Sequence, residues 1–274
     1  MTVLFDDWRS RLKHIGWAGA FLAILAAMLF PAILLSAQAG RAISIFEQAG
    51  LIAAATAATQ LLRRKAIWEV TGRPDSQWLR QLGLGGCLGA LLMLAPALIL
   101  WMGGSVGFRG TGTETDALLG AVLLMAGVAI AEETLFRGIL FQRLIDALGP
   151  WPAQLIIAAL FVLTHLGNPG MTGVTRLWAA TNIFLASIMF GLAYLRTRSL
   201  ALPIGLHFMA NTTHGILLGF GVSGEGEPSL LRPSYSSSPD WWTGGQFGLE
   251  ASLPGLATVA ITTILLALIR PGNR

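Results

Sequence analysis

The sequence predicts an all-α fold, a polytopic membrane bundle of about eight transmembrane helices in a single domain over residues 1–274. Three observations predict it. Of the 274 residues, 54% are hydrophobic and 12% charged, about half the charge of an ordinary soluble domain; mean hydropathy is +0.66. Apolar runs recur at lengths near the roughly 20 residues that span a bilayer as a helix. The segments between them alternate between rich and poor in arginine and lysine, as loops on the two faces of a membrane do.

The elements follow in order. Met1–His14 mixes charge with aromatic residues (FDDWRSRLKH) and reads as an interfacial amphipathic lead-in. No cleavable signal peptide is expected, because the first apolar run is long enough to span and lacks a clear cleavage site. Spans are expected at Ile15–Ser36, Ile43–Leu62, Leu82–Met102, Ala117–Leu140, Pro152–Leu166, Trp178–Leu195, Leu200–Leu218 and Leu253–Ile269. The second carries Glu47 and Gln48 near its start, where an interface tolerates them. The fifth is short, as burial inside a bundle permits. Gly- and Ala-rich stretches such as GLGGCLGALL let helix backbones approach closely in lipid. The loop Gly219–Ala251 is rich in Gly, Ser and Pro and reads as a mobile lip around an entrance. In it, Trp241 and Trp242 suit the membrane surface.

The basic residues test this arrangement. With eight spans, 13 of the 18 Lys and Arg residues fall on the side of the N-terminus, Arg270 and Arg274 among them. Four fall on the other side (Arg41, Arg109, Arg176, Arg232), and Arg137 stays in the membrane. The bias places both termini in the cytoplasm and the chain in the cell (inner or plasma) membrane. The formal charge of +4 is accounted for by these orienting loops, so nucleic acid is not an expected partner. The single cysteine, Cys87, excludes a disulfide framework within the chain. No internal repeat is evident, which counts against an inverted-repeat transporter.

Few strongly polar side chains interrupt the later spans. Glu132 and Glu133 are adjacent in AEETLFR, each costing roughly 2.5 kcal/mol or more at the centre of a bilayer. Glu133 and Arg137 are four apart and can pair on one helix face. Glu132 points about 100° away and has no partner in its own helix. His165 ends the fifth span in FVLTH. His207 and Asn211 share one face of the seventh in GLHFMAN, and His214 lies three residues on. Singly, each has an ordinary reading: a histidine as a hydrogen bonder, Asn211 as helix glue, Glu133–Arg137 as an ion pair, His214 as a wet residue near a span end. Together, an unpaired carboxylate, two histidines and an asparagine on three spans suit activation of water. The carboxylate takes its proton, a histidine orients it, and a histidine with an amide donates to an oxyanion. Counted straight, Glu132 lies about eight residues, roughly 12 Å, from the inner end of its span and His165 near the outer end of the next, a mismatch in depth.

EExxxR, FxxxH and HxxxN, in that order across several spans, resemble the CAAX protease and bacteriocin-processing family, also called Abi, which includes the type II CAAX prenyl endopeptidases. The motifs are Glu132 to Arg137, Phe161 to His165 and His207 to Asn211, within a family-like core at about residues 117–218. The resemblance implies an intramembrane endopeptidase acting on a membrane-associated protein or peptide in the lipid bilayer. By motif position Glu132 and His165 would activate water, His207 and Asn211 would form the oxyanion hole, and Glu133 and Arg137 would hold the site together. The family has long carried a metalloprotease label. The expected reading is metal-free, with no cofactor. The zinc alternative would use Glu132, His165 and His207 as ligands. Two other functions stay open on sequence: an ion- or proton-coupled transporter, and a non-enzymatic immunity or scaffold protein.

Overall fold

A computed structural model describes residues 2–269, with side chains from Trp8 onward. Arg270 and Arg274, which enter the basic count, lie outside the described residues.

Helix α1 (Thr2–Gln38) runs unbroken through the expected lead-in. α2 (Ile45–Leu62) begins at Ser44, which accepts from the Glu47 amide while the Glu47 carboxylate accepts from the Ser44 amide. Arg41 grips that carboxylate with both terminal nitrogens, at 2.7 and 2.6 Å. The polar start of the second span is therefore a helix cap. A short α3 (Trp68–Thr71) precedes α4 (Ser76–Met102). Strand β1 (Val106–Gly110), α5 (Thr115–Arg137), α6 (Ile139–Leu148), α7 (Pro150–His165) and α8 (Gly173–Thr197) follow. α9 (Ala201–Asn211) passes into a π-helical turn, Thr212–Leu217. β2 (Leu231–Tyr235), α10 (Asp240–Thr243), a 3-10 turn at Leu249–Ala251 and α11 (Leu253–Leu268) complete the chain.

Five helical segments are long and apolar enough to cross a membrane: Trp8–Gln38, Ile45–Leu62, Ser76–Met102, Thr115–Leu148 and Gly173–Thr197. α7 and α11 are apolar but shorter, and α9 has 11 residues before its π turn. The protein is thus an all-α membrane bundle in which every expected apolar run is helical.

The fourth span differs from expectation in a way that matters for the site. It does not end at Leu140. α5 stops at Arg137, because Gly138 turns the chain; a Cβ there would stand 2.1 Å from the Thr134 carbonyl oxygen. α6 then continues to a tight turn at Gly149 (φ 88), where Pro150 starts α7. Glu132 lies 17 residues before Gly149 and His165 lies 16 after it. The contact between Phe136 and Phe161 sets the two helices level there, and Glu132 and His165 each lie four residues from it toward the same end of the bundle. The depth mismatch therefore came from placing the turn too early. Phe136 and Phe161, 13 before and 12 after Gly149, meet edge to face at 4.9 Å.

Polar and aromatic contacts gather at two ends. At one, Glu69 pairs with Arg63 (2.9 Å) and Arg143 (3.8 Å), Arg143 pairs with Asp146 (3.0 Å), and His14 lies 3.5 Å from Asp146. At the other, β1 and β2 pair antiparallel, Phe108 opposite Pro233. Trp178 stacks on Trp241 at 6.4 Å, and Asn168 donates to the Ser223 carbonyl at 3.1 Å. The 219–251 loop is thus a tied cap with its own strand, where the sequence suggested a mobile lip. Its partner strand lies more than 100 residues away in the chain, beyond the reach of local patterning.

α4 and α9 pack backbone to backbone. A Cβ at Gly89 would stand 2.1 Å from the Leu206 carbonyl oxygen, and one at Gly85 2.2 Å from that of Leu202. Gly89→Ala is expected to destabilise the detergent-solubilised protein by about 1–3 kcal/mol, as overpacking does. Gly83→Ala, whose Cβ meets nothing within 4 Å, is the control that should melt like the wild type.

Candidate functional site

The last two turns of α5 carry Glu132, Glu133 and Arg137. Glu133 and Arg137 are fully buried, and Arg137 Nη1 donates to Glu133 Oε1 at 3.2 Å. Arg137 Nη2 donates to the Ser187 carbonyl and hydroxyl oxygens on α8, both at 2.9 Å. The guanidinium lies 5.0 Å from the Phe161 ring centre and 5.1 Å from that of Phe190, so flat aromatic faces supply part of the attraction that water would have given. The pair thereby locks α5, α7 and α8 together at one depth.

His207 on α9 bridges the two glutamates. Its Nδ1 is 2.8 Å from Glu133 Oε1, and its Nε2 is 3.8 Å from Glu132 Oε2. An ionised Glu133 can only accept, so Nδ1 carries the hydrogen. The ring stacks on Phe190 at 4.8 Å and 16°, which fixes its plane. Glu132 points away from the ion pair, its side chain 25% exposed, and it makes no hydrogen bond with a described residue.

His165 closes α7. Its Nδ1 lies 2.7 Å from the Phe161 carbonyl oxygen, an acceptor, so in the neutral ring Nδ1 holds the hydrogen and Nε2 keeps the lone pair. Asn211, one turn beyond His207, is 7% exposed and has no hydrogen-bond partner among the described residues. Glu132, His165, His207 and Asn211 all line one cavity of about 490 Å³. It reaches from Glu132 on α5 to the cap, where Ser223, Glu225, Glu227 and Glu250 join its wall.

His214 does not line this cavity and is not wet. It is fully buried, and its Nε2 accepts the Leu249 backbone N–H at 2.9 Å, tying the π turn to the cap. Its place near a span end misled the sequence reading, because the cap folds over that end.

Three groups escaped the sequence reading. Ser187 holds Arg137. Phe190 carries both Arg137 and His207. Asn182 on α8 is 2% exposed, lines the cavity and has no hydrogen-bond partner among the described residues. Its signal was present: an asparagine inside an apolar span is costly enough to ask for a reason.

A zinc ion needs three protein ligands around one point. Among the described residues no three His, Cys, Asp or Glu side chains gather in that way. The donor set therefore does not fit zinc as it stands.

Residues 114–213 match the family model described as type II CAAX prenyl endopeptidase Rce1-like. The match runs from the residue before α5 into the π turn and contains all seven motif residues, in agreement with the resemblance read from the motifs. The cap carboxylates lie outside it. A comparison with curated proteins finds no match.

Proposed function

We propose that this membrane protein, similar over residues 114–213 to type II CAAX prenyl endopeptidases, is a glutamate-dependent intramembrane endopeptidase of a membrane-associated peptide or protein. One observation carries the reading: Glu132, His165, His207 and Asn211, from three helices, line one cavity deep in an apolar bundle.

In the proposed reaction Glu132 takes a proton from water, and the hydroxide adds to the scissile carbonyl carbon. His165 Nε2, free to accept, orients the water. The carbonyl oxygen becomes an oxyanion that accepts from His207 Nε2–H and the Asn211 amide. Donation from Nε2 while Nδ1 donates to Glu133 makes His207 an imidazolium. With it, Glu132, Glu133 and Arg137 sum to zero charge, the state a low-dielectric interior favours. The C–N bond then breaks, and Glu132 returns the proton to the leaving amine. No step runs through a metal. Purified enzyme is therefore expected to keep its turnover in EDTA; loss in EDTA with recovery on added zinc would make Glu132, His165 and His207 ligands.

The same proposal includes eight crossings with both termini cytoplasmic, supported by the 13-to-4 basic bias. Reporter fusions at Arg274 and near Ser237 should read inside and outside respectively. The function itself is tested by comparing the membrane and secreted peptides of cells carrying wild-type protein or Glu132→Gln. A peptide or protein shortened only in the wild type is expected, and identical profiles would remove the proposal.

A further inference from the structure

The cavity wall holds four glutamates, Glu132, Glu225, Glu227 and Glu250, and no lysine or arginine. Glu250 is committed to the cap, accepting from the Ser223 N–H at 2.7 Å and its hydroxyl at 2.8 Å. Glu225 and Glu227 have neither an ion pair nor a side-chain hydrogen bond among the described residues. A tight turn, with Val222 and Glu225 exchanging backbone bonds at 2.8 and 3.0 Å, sets them at the cap end of the cavity. Burial, and then the neighbouring Glu225 charge, raise the Glu227 carboxyl above its ordinary value; a cation beside it would relieve both. Glu225 is exposed and Glu227 partly buried, and carboxylates at the mouth of a cleft focus a negative potential into it. No three of them gather as metal ligands, so the field suits an organic cation better than a metal ion.

A second observation points to the rest of the ligand. Asn182 and Asn211 are 2% and 7% exposed, line the same cavity and lack partners among the described residues. Each amide offers two donors and an acceptor, the complement of a peptide backbone. Both side chains line the cavity and no described residue meets them, so their donors and acceptors are available to a ligand there.

We infer that the cavity takes a peptide segment carrying a lysine or arginine side chain, with its charge against Glu225 and Glu227 at the cap and its backbone on Asn182 and Asn211. This rests on the peptidase reading and adds the substrate class to it.

The test uses a set of fluorescein-labelled apolar peptides with one lysine scanned along the sequence, and the same set with glutamine instead. Hydrolysis is measured in proteoliposomes, and binding separately on the Glu132→Gln protein. For at least one lysine position the wild type should prefer lysine by on the order of tenfold in kcat/KM. The preference should shrink as salt rises from about 0.05 M to about 0.5 M, where screening shortens. Glu225→Gln/Glu227→Gln should bring the ratio near one, and Glu225→Lys/Glu227→Lys should invert it, each checked for a wild-type melting profile. Equal handling of both sets by the wild type, or a preference that survives the double variant and high salt, overturns the inference. If no peptide is cut but the lysine set still binds in preference, the charge inference stands and the peptidase reading falls. No preference in either assay overturns the inference.

Discussion

Glu132→Gln is expected to lower peptide turnover by about 10²–10⁴, the usual worth of a general base, while leaving the fold intact. The expectation follows from its position. The carboxylate is the one in the motif that makes no hydrogen bond with a described residue, and it faces the cavity with its side chain 25% exposed. Glutamine keeps its size and one acceptor oxygen, so packing on α5 is preserved. The proton acceptor is lost. His207 Nε2, at 3.8 Å, is too distant for the exchange to break a short bond. The measurement is turnover of a model peptide by purified protein, with melting temperature recorded alongside. Retention of more than about a tenth of wild-type turnover, well short of that range, would remove Glu132 from the base role.

Arg137→Ala is expected to act in the opposite way, through the fold. The substitution leaves Glu133 as a buried charge with one remaining donor, His207, and breaks the link to Ser187 on α8. Removing one partner of a buried pair costs roughly 3–5 kcal/mol, a large part of the stability of an ordinary domain. Folded protein in the membrane and apparent melting temperature should both fall, and activity with them. A double change, Glu133→Leu with Arg137→Met, separates structure from chemistry. It removes both charges and keeps volume, so folding should largely recover. Activity should not, because His207 Nδ1 has lost the carboxylate that orients it. Normal abundance and melting of Arg137→Ala without activity would instead assign Arg137 a direct part in the reaction.

The two outcomes differ although the residues sit five apart on one helix, and the sequence already carried the difference. A spacing of four put Glu133 and Arg137 on one face, and a spacing of one turned Glu132 off it. Helical periodicity is local, so it survives without knowledge of the neighbours. The same holds for His207 and Asn211, which share a face of α9 and a wall of the cavity. Asn182 was equally legible as an asparagine in an apolar span, and went unread because it belongs to no motif.

The sequence by itself determined that the chain is a membrane-embedded helical bundle, where its apolar segments lie, and which few polar groups its later helices carry. Hydropathy and periodicity are properties of neighbouring residues, and the cost of a charge in lipid marks the exceptions. Only the tertiary structure decided what those groups face. The level alignment of Glu132 and His165 depends on the turn at Gly149, and the bridge of His207 between two glutamates depends on how α9 seats against α5. The cap that brings Glu225 and Glu227 to the cavity depends on a strand pairing across more than 100 residues. Each is a contact between distant segments, fixed by packing shape and close glycine approaches, which no single window of sequence contains.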